Sequence, residues 1–300
     1  MMHLYRNPEA QQRQWIEAVP GLPNDTFVAY GGPHFQKSRQ RLHAQILADL
    51  LKDCRPNRQP QAILMMGGPA SGKSTALKVL DTEGFIKLDS DAVKEKIPEY
   101  QTAVSAKARN AAAMAHEESS YIIEVALEEA VKNRCNIVYD GTGKNAAKYA
   151  RLIDMFHDHG YVVRLIYIHV EPRLALPRAL ARAEHSGRYV PPYVIESAYA
   201  SIPYNFGDLA NRADAWMMFD TTEFPARYVA NKEPGTPTQV RRPELLEEFQ
   251  TRFPQRTGLR LNPGRRSMRH NPAPVNAKQI ENALSVWLRS GKDENESGLD

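Results

Sequence analysis

Residues 67–75 read Gly67-Gly68-Pro69-Ala70-Ser71-Gly72-Lys73-Ser74-Thr75. Gly67, four residues and then Gly72-Lys73-Ser74 satisfy G-x-x-x-x-G-K-[ST], a spacing whose chemistry is the cradling of phosphate groups. Phosphate oxygens must be met by backbone N–H groups at close range, and side chains would block that approach. Gly67, Gly68 and Gly72 remove the obstruction and permit backbone angles that other residues avoid. Pro69, Ala70, Ser71 and Thr75 complete the loop, so the whole stretch is a nucleotide-binding candidate. A helix opening near Lys73 points its free N–H groups and positive dipole end at the ligand. Lys73 then reaches β- and γ-phosphates, and the Ser74 hydroxyl is offered to Mg2+.

Acidic residues follow two further apolar runs. Asp89-Ser90-Asp91 comes after FIKL (85–88), and Asp140-Gly141-Thr142-Gly143 after NIVY (136–139). In an open α/β sheet, ligands bind beyond the carboxyl ends of the strands, which is where both clusters fall. A carboxylate beside an acceptor hydroxyl orients it and takes its proton during phosphoryl transfer. Asp89 and Asp91 suit that task or substrate binding, and the same cluster suits an N-cap for the helical segment that follows. Asp140 suits Mg2+ held through water, substrate contact, or a plain Asp-Gly turn. DGTG also matches the DxxG of GTP-binding proteins. The guanine-reading N-K-x-D is missing, however, because Asn231-Lys232-Glu233 runs into Pro234.

A basic stretch carries Arg173, Arg178, Arg182 and Arg188, with Gly187 as a hinge candidate. Arg178 and Arg182 are four apart and share a helix face. Arginines on a lid stabilise the charge that spreads over a transferring phosphoryl group while excluding water; a solvated helix face is the alternative. On the helix expected before NIVY, Glu117, Tyr121 and Glu124 share a polar face, suited to hydroxyl groups or simply to water. His116 alone reads as structural.

These residues need a scaffold. Apolar runs at 62–66, 85–88, 136–139, 162–168 and 215–219 alternate with helical segments, which predicts a parallel sheet with crossover helices. The expected fold class is therefore α/β, a P-loop NTPase-type parallel sheet flanked by helices. A helical N-terminal extension (1–60) is expected before a phosphate-binding domain (61–230). A Pro/Arg-rich C-terminal tail (231–300) follows, with one short helix over 277–289. Arg252–Arg269 holds six arginines and no acid. No apolar run approaches the roughly 20 residues that cross a bilayer, and the N-terminus shows no secretory pattern. Cys54 and Cys135 are the two cysteines. They predict no disulfide framework, and a reducing, cytoplasmic setting. The net charge of +4 suits anionic ligands without implying nucleic acid.

The combined pattern resembles the zeta-toxin family of P-loop kinases over roughly residues 35–225. The resemblance rests on GGPASGKST, LDSDAVKEKIPEY, AHEESS, IVYDGTGKN and the basic stretch ending in GRYVP. Known members phosphorylate the 3′ hydroxyl of the amino sugar in UDP-N-acetylglucosamine, using ATP and Mg2+, and the founding members are toxins restrained by a protein antitoxin. The resemblance implies Asp91 as the base, being the second Asp of the family's D-x-D, and keeps Lys73 and Ser74 in their loop roles. Asp140 falls where founding members have a substrate-contacting Glu before Gly-Thr, with Asp89 and Thr142 beside it as substrate-binding candidates. Arg182 and Arg188 fall where the family places two phosphate-clamping arginines, here closer together in sequence. A substrate-contacting Glu on the preceding helix maps to Glu124 without a gap or to Glu118 with one.

The expectation is thus a cytoplasmic kinase acting on a small-molecule hydroxyl with ATP and Mg2+, a protein antitoxin being a candidate partner. Asp91, Lys73, Arg182 and Arg188 are its catalytic candidates. Two rivals stand beside it: a nucleic-acid-end kinase using Arg252–Arg269 on phosphates, and a nucleotide-dependent binding or effector protein.

Overall fold

The computed structural model describes residues 15–80 and 82–253. Seven strands form one sheet: β1 (Gln61–Met66), β2 (Phe85–Asp89), β3 (Asn136–Asp140), β4 (Val162–His169), β5 (Ala215–Asp220), β6 (Arg227–Lys232) and β7 (Gln239–Val240). Before β1 come helices α1 (Thr26–Ala29) and α2 (Lys37–Leu51). Between β1 and β3 lie α3 (Lys73–Val79), α4 (Ser90–Lys94), α5 (Pro98–Ser105), α6 (Ala111–Met114) and α7 (His116–Lys132). Then come α8 (Ala146–Asp158), α9 (Pro172–Ser186), α10 (Pro192–Tyr199), α11 (Ile202–Arg212) and α12 (Pro243–Arg252).

The sheet order is β2-β3-β1-β4-β5-β6-β7. The first five strands are parallel, and β6 and β7 are added antiparallel. This is the expected P-loop NTPase-type architecture with an antiparallel edge. β1 is buried at every position because helices cover both of its faces, as its unbroken apolar run predicts. On one face Leu64, Ile137 and Leu165 pack with Ile122, Ile153 and Phe206 from the helices. On the other, Ile63, Val138, Ile166 and Met217 pack beside Leu80.

The expected domain boundaries fare differently. Residue 230 falls inside β6, and the chain continues into β7 and α12. Leu246 and Phe249 of α12 and Phe253 just after it join the main core. The prolines that suggested a tail conceal this. Pro243 occupies the first turn of α12, where its missing N–H costs nothing. The helix expected over 277–289 and the arginines beyond Arg252 lie outside the described residues. At the other end, α2 is less an extension than a lateral layer. It buries Ile46 in the main core and places Arg39 and His43 against α7.

The expectation of no disulfide framework is corrected. Cys54, after α2, and Cys135, at the start of β3, are joined in a disulfide, their Cα atoms 5.2 Å apart. The fold brings together residues 81 apart in the chain, a proximity that sequence spacing does not reveal. Cysteine usage therefore no longer argues for a reducing compartment. Among the described residues no helix is long and apolar enough to cross a membrane.

Candidate active site

The phosphate loop joins β1 to α3. Gly67 has φ +150°, and a Cβ there would lie 2.7 Å from both the Ile168 carbonyl oxygen and Ser71 Oγ. Only glycine fits. Gly72, at φ +93°, sits left-handed immediately before α3, which turns the first N–H groups of that helix toward the loop's interior. Neighbours hold the loop in place. Gly67 N–H donates to the Thr142 carbonyl at 3.0 Å. Tyr199 Oη donates to the Pro69 carbonyl at 2.9 Å, and Thr221 Oγ1 to the Ser71 carbonyl at 2.7 Å. Arg178 donates to the carbonyls of Thr221 and Thr222 at 2.9 and 3.0 Å, so this arginine braces the loop after β5.

Lys73 Nζ folds back onto the Gly67 carbonyl at 2.8 Å. Burial lowers its pKa, and the charges of Asp140 and Asp91 oppose that shift. Ser74 and Thr75 are exposed on the first turn of α3. Ser71 Oγ is buried without a hydrogen-bond partner. Such an atom calls for an explanation, and a ligand oxygen in the loop would supply one.

The acids gather at the carboxyl edge of the sheet. Asp89 and Asp140 are register partners on adjacent parallel strands. Asp89 Oδ1 accepts from Asp91 N–H at 2.8 Å, so the capping role falls to Asp89. Its carboxyl pKa is raised, first by burial and then by the Asp91 charge. Asp140 is raised to about 6, mainly by burial, against the pull of Lys73. Asp91, in the first turn of α4, behaves oppositely. Burial pushes it up, but Lys94 and Arg188 outweigh that, and its pKa falls below the usual value. Lys94 Nζ donates to Asp91 Oδ1 at 3.1 Å, and Arg188 Nη2 is bonded to Oδ2.

Arg182 and Arg188 converge here. Arg182 Nε is buried without a partner. Burial and then the Arg188 charge lower the Arg182 pKa, while Asp91 opposes them. Two guanidiniums crowded together beside one carboxylate form a socket for a more negative group.

Glu118 is a correction. It is fully buried on α7, accepting from Arg39 Nε and Nη2 at 2.5 and 2.7 Å and lying 2.6 Å from His43 Nε2. Both oxygens are engaged in fastening α2 to α7, which leaves none for an acceptor. Glu124 is exposed and pairs with Lys148 at 3.2 Å. Thr142 contributes its carbonyl to the phosphate loop, and its Oγ1 accepts from Lys144 N–H. Lys94, Tyr199 and Thr221 went unread in the sequence. Thr221 had a signal, since it follows the fifth strand at the same sheet edge. Tyr199 had none, because its partner Pro69 is 130 residues away.

The donor set suits Mg2+: a hydroxyl at Ser74 and a carboxylate at Asp140, both hard oxygens. Among the described residues no cluster of three or more His, Cys, Asp or Glu forms a cation cage.

Comparison with known proteins places this geometry. The family model described as Zeta toxin matches residues 45–223. Toxin PezT of Streptococcus pneumoniae serotype 4 (strain ATCC BAA-334 / TIGR4) is 22% identical over 144 residues, 47% of this chain and 57% of that toxin. The match thus spans little more than half of the relative's length. A chain of the PezAT chromosomal toxin–antitoxin system of the same species superposes with a TM-score of 0.52 at 18% identity, covering 62% of this chain and 78% of that one. The AvrRxo1-ORF1:-ORF2 structure with ATP gives a TM-score of 0.60 at 20% identity, covering 78% and 80%.

Proposed function

This chain belongs to the zeta-toxin family, and from that premise we propose that it is an ATP-dependent kinase that phosphorylates a hydroxyl of a small molecule. The observation that carries the reading is the meeting of three elements at one sheet edge. They are a phosphate loop with Lys73, a carboxylate at Asp91 kept ionised, and the paired guanidiniums of Arg182 and Arg188. The loop amides and Lys73 hold the β- and γ-phosphates. Asp91 orients the acceptor hydroxyl and accepts its proton as that oxygen bonds to the γ-phosphorus and the bond to the β,γ-bridging oxygen breaks, releasing ADP. Arg182 and Arg188 balance the charge on the transferring group. Ser74 and, through water, Asp140 would hold Mg2+, which would supply charge neutralisation to the phosphates.

A nucleotide sugar such as UDP-N-acetylglucosamine is the first acceptor to try, on the family resemblance; Asp89 and Asp140 face the same edge and suit sugar hydroxyls. The kinase reading supports a cytoplasmic setting, where ATP is available. A protein antitoxin is the proposed partner, by analogy with the PezAT toxin–antitoxin system. No observation favours a nucleic-acid end as acceptor. The test is incubation with γ-labelled ATP and, in separate reactions, UDP-N-acetylglucosamine, a fractionated metabolite extract or an oligonucleotide, with Lys73→Ala as control. Transfer of label to a small molecule, absent in the control, is the expected result. Label appearing only on added oligonucleotide ends, or no transfer at all, would overturn the reading.

A further inference from the structure

Asp91 carries a different cation on each oxygen, and the two cations differ in how they are tethered. Lys94 is the last residue of α4, three positions after Asp91 on the same helix, and its Nζ lies 3.1 Å from Oδ1. Its side chain is 8% exposed, an unusual fate for a lysine, which normally keeps its ammonium in water. Arg188 contacts Oδ2 from outside α4. It follows Gly187, the left-handed cap of α9 at φ +69°, and it also approaches Glu95 at 3.4 Å and hydrogen-bonds with Tyr100 on α5. The Lys94 contact is built into the helix, whereas the Arg188 contact joins two separate elements and can be exchanged for phosphate.

We propose that Lys94 is the positioning residue for Asp91, fixing Oδ1 so that Oδ2 is the oxygen presented to the acceptor once Arg188 turns to the phosphates. The inference rests on the reading of Asp91 as the base. A buried ammonium without a partner is costly, so the Lys94–Asp91 pair stabilises both charges together. The other groups facing Asp91 do not replace Lys94. Asp89, Glu95 and Asp140 are anionic and oppose ionisation of Asp91. Tyr100 on α5 is held neutral, first by burial, and His116 on α7 is pushed toward neutrality by burial and then by the Lys94 charge. Lys73, Arg182 and Arg188 are cationic, but all three are committed to phosphate when ligand binds. Lys94 alone keeps a positive charge on Asp91 throughout turnover.

The experiment is a 13C NMR titration of the aspartate carboxyls in ligand-free protein, with Asp91 assigned by its loss in D91N. In Lys94→Met the Asp91 pKa rises by about 1–3 units, and in K94R it stays near the wild-type value. A folded K94M protein with Asp91 titrating as in wild type overturns the proposal. A second readout needs no variant to fold: in the wild-type protein the Lys94 15Nζ resonance must shift with the Asp91 titration, and an unresponsive resonance also overturns it. The base reading fails separately, through undiminished phosphoryl transfer by D91N, whatever Lys94 does to the titration.

Discussion

Arg188 Nη2 is bonded to Asp91 Oδ2 in the ligand-free protein, so the proposed base and one of the proposed phosphate clamps begin by neutralising each other. In the proposed mechanism that contact is exchanged, with the arginine going to the phosphate and the carboxylate to the acceptor hydroxyl. The arrangement keeps both charges paired until a more negative ligand enters.

Asp91→Asn is expected to reduce phosphoryl transfer by about 10²–10⁴-fold, the usual cost of losing a general base, while ATP still binds. The amide keeps the size of the carboxylate but cannot take a proton. Asp89→Asn is the contrasting variant. Asparagine also caps helices, so the bond to Asp91 N–H at 2.8 Å is retained and transfer falls less. Transfer assays and nucleotide titrations on both proteins check this, and the reverse ranking would move the base to Asp89.

Lys73→Ala is expected to abolish transfer with the fold intact. Among the described residues the Nζ donates to loop carbonyls, 2.8 Å from Gly67 and 3.4 Å from Gly68, and burial lowers its pKa. Removing it therefore deletes a phosphate contact and relieves a desolvated charge. Circular dichroism and thermal melting should match or exceed wild type while turnover vanishes; normal turnover would refute the mechanism.

Asp140 makes a pH prediction. Burial pushes its folded pKa up to about 6, from an ordinary value of 3.8, so the folded state favours the protonated form. The stabilising contribution is complete below about pH 4 and is lost as pH rises through 6. Asp140→Asn removes the titration and should stabilise the metal- and nucleotide-free protein at pH 8 by about 1–2 kcal/mol after solvent screening. Chemical denaturation at pH 5 and pH 8 tests this: the gain should be larger at pH 8.

The parallel core was legible in the sequence because a strand covered on both faces is mostly apolar, as β1 and β4 are apart from Gln61, Arg164 and His169. The phosphate loop and the acids at the strand ends were legible for a related reason: their chemistry depends on local spacing. β6 was not, because its sequence RYVANK is mixed and only its middle is buried. The partners of Glu118 and Cys54 were also hidden. Arg39 lies 79 residues before Glu118, and Cys135 lies 81 after Cys54. Only the folded chain makes those pairs.

The chain beyond residue 230 makes a stability prediction. Phe249 is 4% exposed and packs against Tyr167, Phe206 and His169. Phe249→Ala should cost about 3–5 kcal/mol. A chain ending at residue 230 loses this contact, part of β6 and all of β7, and should fail to fold. One ending after Phe253 keeps every described contact and should retain nucleotide binding. Denaturant melts of the three proteins decide the point; a stable, cooperative fold ending at 230 would show that α12 is dispensable.

Glu118 separates a structural carboxylate from a substrate contact. Hydrogen bonds from Arg39 and His43 outweigh burial and hold its pKa down to about 2. A depressed carboxylate contributes stability that is present above its unfolded pKa near 4.5 and is lost as pH falls through about 2. Glu118→Gln leaves Arg39 buried with Glu99 as its remaining ion-pair partner, at 3.0 Å. Breaking a buried ion pair from one side costs about 3–5 kcal/mol. The expected result is a large drop in melting temperature, with KM for the acceptor unchanged in the fraction that remains folded at low temperature. A sugar-contacting Glu118 would give the opposite pattern, a raised KM with little loss of stability. Measuring both quantities on one variant, with Glu124→Gln beside it, distinguishes the roles. Glu124 is exposed and its described ion-pair partner is the half-buried Lys148, so its substitution should leave stability within about 0.5 kcal/mol of wild type.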